Sequence, residues 1–76
     1  MTREDRVEVL KSAKGNKAVE IYKNGKGFSC FFYINIAIGF EPDFQWKKGA
    51  GGTSCEFYAD LKKARAAAKR YFERYE

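Results

Sequence analysis

Residues 28–40 read FSCFFYINIAIGF, the most apolar and most β-prone stretch of the chain. Because successive side chains of a β-strand point to opposite faces, this stretch predicts a strand with two unlike faces. One face is apolar and predicts the core; it carries Phe28, Cys30, Phe32, Ile34, Ile36 and Ile38. The other face mixes aromatic, small and polar side chains; it carries Ser29, Phe31, Tyr33, Asn35 and Ala37. The functional question therefore concerns the second face.

The turn before this strand predicts a hairpin and its register. Residues 17–23 alternate as a second strand, and the Asn-Gly pair that follows them is the strongest short-range hairpin signal. A two-residue loop at Asn24 and Gly25 pairs Lys23 with Lys26, Ile21 with Phe28, Val19 with Cys30, Glu20 with Ser29, and Ala18 with Phe31. The apolar residues of both strands then share one face, so the turn and the alternation agree.

The first hairpin has two open registers. Residues 6–12 alternate as a strand, and the Gly-Asn pair that follows tolerates the positive φ of a turn. A two-residue loop at 15–16 would put Leu10 inside the fold. A loop one residue longer would instead put Val7 and Val9 inside.

The long strand is expected to bend or stop near Gly39, because a straight strand over 28–40 would span about 40 Å. Pro42 interrupts pairing, since proline has no N–H to donate. Residues 41–52 predict a long loop. Within it, Glu41 and Asp43 predict a solvated turn, and the glycine-rich segment before residue 53 predicts a flexible connector rather than a phosphate loop.

The end of the chain predicts a short strand and a helix. Residues 53–58 form the strand, with Cys55 and Phe57 facing the core. Asp60 is expected to cap the helix that follows. Its apolar stripe, at spacings of three and four, comprises Leu61, Ala64, Ala68, Tyr71, Phe72 and Tyr75. Together the elements predict an α+β fold over residues 1–76: a four-stranded antiparallel β-meander with one C-terminal helix packed on one face (ββββα), and with residues 1–5 frayed.

The composition favours binding over catalysis. The formal charge of +5 and the pI near 9.3 favour acidic partners. The chain has no histidine, which removes the usual general base and the commonest metal ligand. Its two cysteines are too few for a zinc site. We therefore expect no catalytic residues, no cofactor and no metal.

The N-terminal residues 1–11 are charged and lack the apolar region of a signal peptide. The apolar run at 28–40 is too short for a membrane span. These features predict a cytoplasmic protein without a membrane partner, whose Cys30 and Cys55 are buried free thiols on neighbouring strands.

Two surfaces are candidates for binding. The sheet face away from the helix presents Tyr22, Phe31 and Tyr33, and an exposed aromatic patch usually has a partner. Three occupants remain open for it: unpaired bases, a protein or second copy, and the long loop folded back with Phe44 and Trp46. The second surface is the outer helix face, whose basic side chains allow either contact with phosphates or, as the favoured interpretation, an ordinary solvated face.

Residues 22–72 resemble two families. The turn KNGKGF at 23–28 and the segment FYADLKKA at 57–64 look like the AP2-like arm-binding domain of phage and transposon integrases. That resemblance implies a sheet laid in the major groove of DNA. The same turn and the ββββα order also resemble a PUR repeat, which implies single-stranded nucleic acid binding and pairing with a second repeat. Small basic or aromatic α+β chains are also common among phage accessory proteins, including anti-CRISPR inhibitors.

We expect a non-catalytic nucleic-acid-binding domain that favours single strands. The side chains expected to stack on bases are Tyr22, Phe31 and Tyr33. Basic–aromatic interleaving in the loops completes the predicted site, which comprises Lys23, Lys26, Trp46, Lys47 and Lys48. The alternative is a protein-interaction module, such as a phage-encoded inhibitor with an acidic protein partner, or a homodimer built on the same aromatic face.

Overall fold

A computed structural model describes residues 5–35 and 39–75. The elements in chain order are β1 (Arg6–Lys11), β2 (Lys17–Asn24), β3 (Gly27–Asn35), β4 (Phe40–Pro42), a 3₁₀ turn (Ala50–Gly52), β5 (Cys55–Tyr58) and α1 (Leu61–Tyr75). All strand pairs are antiparallel, and the helix packs on β2, β3 and β5. The α+β class and the order of strands before one C-terminal helix are therefore confirmed.

The sheet has four rows of strands, because β4 and β5 share the row beside β3. The carboxyl-terminal part of β3 pairs with β4, and its amino-terminal part pairs with β5. Phe32 lies at the junction: its N–H donates to the Ser54 carbonyl at 2.8 Å, and its carbonyl accepts the Asp43 N–H at 3.0 Å. β3 is described as far as Asn35, and the chain returns to pair with it as β4, so the direction of the chain has reversed by Phe40.

Several predictions lie outside the described residues. They concern the fraying of residues 1–4, the faces taken by Ile36, Ala37 and Ile38, and the side chain of Tyr75.

The β2–β3 hairpin has the predicted faces but a different register. Its two-residue loop is Gly25 and Lys26, because Asn24 pairs with Gly27. Gly25 has a φ of 62°, which fits the first central position of a type II′ turn, where glycine is preferred. The pairs are Lys23 with Phe28, Tyr22 with Ser29, Ile21 with Cys30, Glu20 with Phe31, Val19 with Phe32, and Ala18 with Tyr33. The predicted pairs were wrong by two residues, and the faces were right because side chains alternate with a period of two.

The first hairpin places Leu10 inside, opposite Val19. Its loop is longer than either sequence alternative, since Ser12 accepts the Gly15 N–H at 2.9 Å and its own N–H donates to the Lys17 carbonyl at 2.9 Å. The register of β1 shifts between residues 6 and 8, which leaves Val7 exposed in a β-bulge.

The core lies between the sheet and the helix. Its fully buried residues are Val19, Ile21, Cys30 and Phe32 from the sheet, and Ala64, Ala67, Ala68 and Tyr71 from the helix. Three alanines on the inner helix face let the backbone approach the sheet closely, since a methyl group is the whole side chain. The Asp60 carboxylate accepts the Lys63 N–H at 2.7 Å, which confirms the predicted cap.

The last strand faces the opposite way from the prediction. Glu56 pairs with Cys30 and Tyr58 with Phe28, so Glu56 and Tyr58 lie on the helix side of the sheet. Phe57 is 55% exposed on the other side. The prediction that Cys55 and Phe57 face the core was wrong, because pairing with β3 decides the phase of this four-residue strand.

The two cysteines are free and lie on neighbouring strands, as predicted. Cys30 is buried on the helix side, and the half-buried Cys55 lies on the opposite face. Burial, followed by the nearby Cys55 and Glu56, raises the pKa of the Cys30 thiol to about 12. Among residues 5–35 and 39–75, no helix is long and apolar enough to cross a membrane.

Candidate functional site

The sheet face opposite the helix is the candidate site, and we call it the open face. Its members follow from the strand pairing, because directly paired residues share a face. They are Arg6, Val9, Lys11, Ala18, Glu20, Tyr22, Asn24, Ser29, Phe31, Tyr33, Asn35, Phe40, Pro42, Cys55 and Phe57. The open face therefore draws side chains from every strand of the sheet.

Aromatic rings occupy the two central strands of the open face. The Tyr22 and Phe31 rings meet edge to face, with centroids 5.3 Å apart and an interplanar angle of 83°. Tyr33 follows on β3, and all three rings are half-buried. Ala18 and Ser29 lie on the same face and are buried. Because their side chains are small, the aromatic rings protrude beyond them.

An ion pair connects two strands on the same face. The Arg6 guanidinium lies 2.8 Å from a Glu20 carboxylate oxygen, which links β1 to β2. Burial, followed by the negative charge of Glu20, raises the pKa of the Tyr33 hydroxyl to about 12. Tyr33 therefore keeps its proton at neutral pH and remains a hydrogen-bond donor.

Two solvent-open depressions lie side by side on the open face. The larger holds about 460 Å³ and is lined by Arg6, Val9, Lys11, Ala18, Glu20, Tyr33 and Phe40. The smaller holds about 220 Å³ and is lined by Tyr22, Phe31, Tyr33 and Thr53. Tyr33 lines both, so its ring marks the boundary between a charged depression and an uncharged one.

The structure brings together part of the predicted site. Tyr22, Phe31 and Tyr33 share the open face, as predicted. Lys23 is on the helix side, where its ammonium lies 4.7 Å from the centre of the Phe28 ring. Two predicted lysines are exposed: Lys26 lies in the β2–β3 turn and Lys48 in the loop before β5.

Trp46 and Lys47 lie away from the open face. Trp46 packs on the core, with its ring centre 6.0 Å from that of Phe32 and 5.1 Å from that of Tyr71. Lys47 forms a 3.1 Å ion pair with Glu56 on the helix side. The alternative in which the loop folds Trp46 over the aromatic face is therefore wrong, because the indole fills a gap beside the helix.

Asp43 also departs from the prediction of a solvated turn. It is 5% exposed, and its carboxylate accepts the Tyr71 hydroxyl at 2.7 Å and the Gln45 N–H at 3.2 Å. Glu41, by contrast, is exposed as predicted, although it lies in β4 rather than in a turn. Asp43 is buried because the loop docks on the helix rather than projecting into water.

Sequence reasoning missed several residues of the open face. Val9 and Lys11 reach it because the first hairpin puts Leu10 inside, and Arg6 reaches it because the bulge between residues 6 and 8 shifts the alternation of side chains. The inward placement of Leu10 was one of the two alternatives left open by the sequence, although the observed register matches neither. The sequence around Phe57 and Phe40 does not indicate which face these residues take, because that depends on how β4 and β5 pair with β3.

The described residues hold no cluster that suggests a metal: residues 5–35 and 39–75 contain no group of three or more histidine, cysteine or acidic side chains placed to bind one. Comparison of the chain with protein-family models, with curated proteins and with solved structures gave no match. The open face must therefore be interpreted from its own chemistry.

Proposed function

We propose that the chain is a non-catalytic binding domain whose open face takes the unpaired bases of single-stranded nucleic acid. The supporting observation is the placement of Tyr22, Phe31 and Tyr33 on the central strands of a face that the helix leaves uncovered. Every base has a π-face, so half-buried aromatic rings on a sheet suit unpaired bases without requiring one sequence.

Of the cations that we assign to this site, only Lys26 was suggested by the sequence. Arg6 and Lys11 line the larger depression, and Lys26 projects from the turn between the two central strands. We assign the phosphate contacts around the aromatic rings to these three. Lys23 and Lys47 are not, because their ammonium groups lie against Phe28 and Glu56 on the helix side.

Fluorescence anisotropy with labelled single-stranded and duplex oligonucleotides, at low and near-physiological salt, tests this function. We expect tighter binding to single strands and a loss of affinity as salt rises, of about one slope unit for each phosphate contact. Lys11→Gln should weaken binding and reduce that slope. Lys69→Gln is the matched control, because Lys69 is exposed on the helix at the other side of the molecule. No binding at low salt would refute the proposal.

A second candidate is a protein interface, either with an acidic partner such as the target of a phage-encoded inhibitor or with a second copy of the chain. It is favoured by Val9 and Phe40, each 41% exposed, which add apolar area to the open face. An apolar interface should persist at high salt. Sedimentation of the isolated chain over a concentration series tests the second copy, and substitution of Phe40 by serine should then shift the equilibrium toward monomer.

A further inference from the structure

Tyr33 separates two depressions that differ in size and in charge. The larger has charged walls, with Arg6 and Lys11 as cations and Glu20 as the anion. The smaller has no charged lining residue, and its walls are the Tyr22 and Phe31 rings together with Thr53. A ring shared by two adjacent depressions suits two consecutive bases, one on either side.

We propose that the open face binds a guanine–pyrimidine step, with guanine in the larger depression beside Glu20 and the pyrimidine in the smaller one beside Phe31. This inference rests on the proposed function and names the ligand of the same site. The Glu20 carboxylate assigns guanine to the larger depression, and the smaller depression, with about half that volume, takes the smaller of the two bases. The Tyr33 ring contacts both bases.

The carboxylate of Glu20 selects guanine over adenine by its hydrogen bonding. An ionised carboxylate only accepts hydrogen bonds, and its two oxygens together offer about four lone-pair positions. Arg6 uses one oxygen at 2.8 Å and the Tyr33 hydroxyl donates to the same carboxylate, which leaves about two acceptor positions for a base. Guanine presents two adjacent N–H donors, at N1 and the 2-amino group, in a fork that matches a carboxylate. Adenine presents one donor beside the N1 acceptor, which the carboxylate repels.

The smaller depression selects by size and stacking alone. Its lining contributes aromatic rings and hydroxyl groups but no charge. Cytosine and thymine are therefore expected to bind there with similar affinity. Specificity should be strong at the position beside Glu20 and weak at the position beside Phe31.

The test uses short labelled DNA strands in which a central dinucleotide is flanked by abasic positions. The dinucleotides are dG-dT, dG-dC, dA-dT, dT-dT and deoxyinosine-dT, together with each in reversed order, since the strand direction on the face is not assumed. We expect one order of the guanine–pyrimidine step to bind about tenfold more tightly than the adenine and inosine steps, the discrimination typical of a paired hydrogen-bond contact. Inosine lacks the 2-amino group, so it isolates that contact.

Four variants separate the roles of the residues. Glu20→Gln should abolish the preference for guanine over inosine, whereas Arg6→Gln breaks the same ion pair and should weaken binding while the preference remains. Phe31→Leu should reduce only the part of the binding affinity that comes from the pyrimidine. Tyr33→Leu should reduce the contributions of both bases, because Tyr33 alone lines both depressions. Circular dichroism melting of each variant confirms that it is folded.

Equal affinity for all dinucleotides, with measurable binding to single strands, would overturn this inference and leave the proposed function standing. Retention of the guanine preference in Glu20→Gln would also overturn it. Failure of every single strand to bind at low salt would refute the proposed function and this inference together.

Discussion

The hydroxyl of Tyr71 lies 2.7 Å from Oδ2 of Asp43, which joins the buried face of the helix to the loop that follows β4. The Tyr33 carbonyl is 3.0 Å from the same hydroxyl, and the shorter distance assigns the single hydroxyl proton to the carboxylate. Asp43 also accepts the Ser54 hydroxyl on its carbonyl at 2.7 Å, so the loop is tied at both ends. Helix, loop and the strand that carries Tyr33 therefore meet at one point.

Tyr71→Phe should destabilise the fold by about 1–3 kcal/mol, because it leaves a buried carboxylate oxygen without its donor. Asp43 and Tyr71 are 5% and 0% exposed, so water does not replace the lost hydroxyl readily. Urea unfolding at neutral pH measures the change. Tyr58→Phe is the matched control: it removes the same atom from a half-buried tyrosine–carboxylate pair and should cost less. Equal losses of unfolding free energy would show that the buried Tyr71–Asp43 hydrogen bond stabilises the fold no more than the half-buried Tyr58–Glu56 hydrogen bond does.

Phe32→Ala should cost about 3–5 kcal/mol, as expected for truncating a fully buried aromatic side chain. Phe32 is 0% exposed and packs edge to face on Tyr71 with ring centres 5.3 Å apart. The paired substitution Phe31→Ala with Tyr33→Ala removes two rings from the opposite face and should leave a cooperative thermal transition. Loss of that transition in the double variant would show that the open face contributes to the core.

Gly27→Ala should destabilise the hairpin end of the sheet by about 1–3 kcal/mol, the usual cost of overpacking. A Cβ at this position would overlap the Phe57 ring and the Tyr58 carbonyl oxygen. Phe57→Ala in the same chain should restore part of the loss, since it removes the ring but not the carbonyl. Thermal melting of the single and double variants measures both effects, and complete rescue would show that the carbonyl contact is unimportant.

Glu56 should contribute stability at neutral pH that is lost in acid. The hydrogen bond from Tyr58 and, next, the Lys47 ammonium hold the pKa of Glu56 below its ordinary value of 4.5, against the opposing effect of partial burial. A lowered folded-state pKa stabilises the fold above the ordinary value, and that stabilisation disappears as pH falls through the folded-state pKa. Because the Lys47–Glu56 ion pair is solvent-exposed, we expect it to contribute less than about 1 kcal/mol to the free energy of unfolding.

The measurement for Glu56 is the difference in unfolding free energy between the unmodified chain and Glu56→Gln, at pH 7 and at pH 3. The difference should be smaller at pH 3, because protonation of the carboxyl in acid removes the ionised form that the contacts with Tyr58 and Lys47 stabilise. Glutamine keeps the shape and an acceptor for Tyr58, which makes it the appropriate substitution. A difference that stays constant across this range would contradict the prediction.

Alternation along the chain determined the division of the sheet into two faces. The predicted pairs of the β2–β3 hairpin were wrong by two residues, yet Ile21, Cys30 and Phe31 lie on the predicted sides, because an even shift preserves the faces. The helix could be predicted in the same way, from a cap at Asp60 and an apolar stripe that reaches Tyr71 and Phe72 among the described side chains. These are local patterns, and the sequence contains them in full.

Pairing across the sheet and docking of the loop were decided only by the tertiary structure. Both phases of the last strand contain aromatic and polar residues, so alternation could not tell that Phe57 faces outward until β5 paired with β3. Burial of Asp43 and Trp46 required the helix surface that receives them, which lies about thirty residues further along the chain. The sequence by itself therefore determined the two faces and the helix, because these follow from local periodicity. The composition of the open face and the position of the loop depend on contacts between distant segments, and only the folded chain decides those.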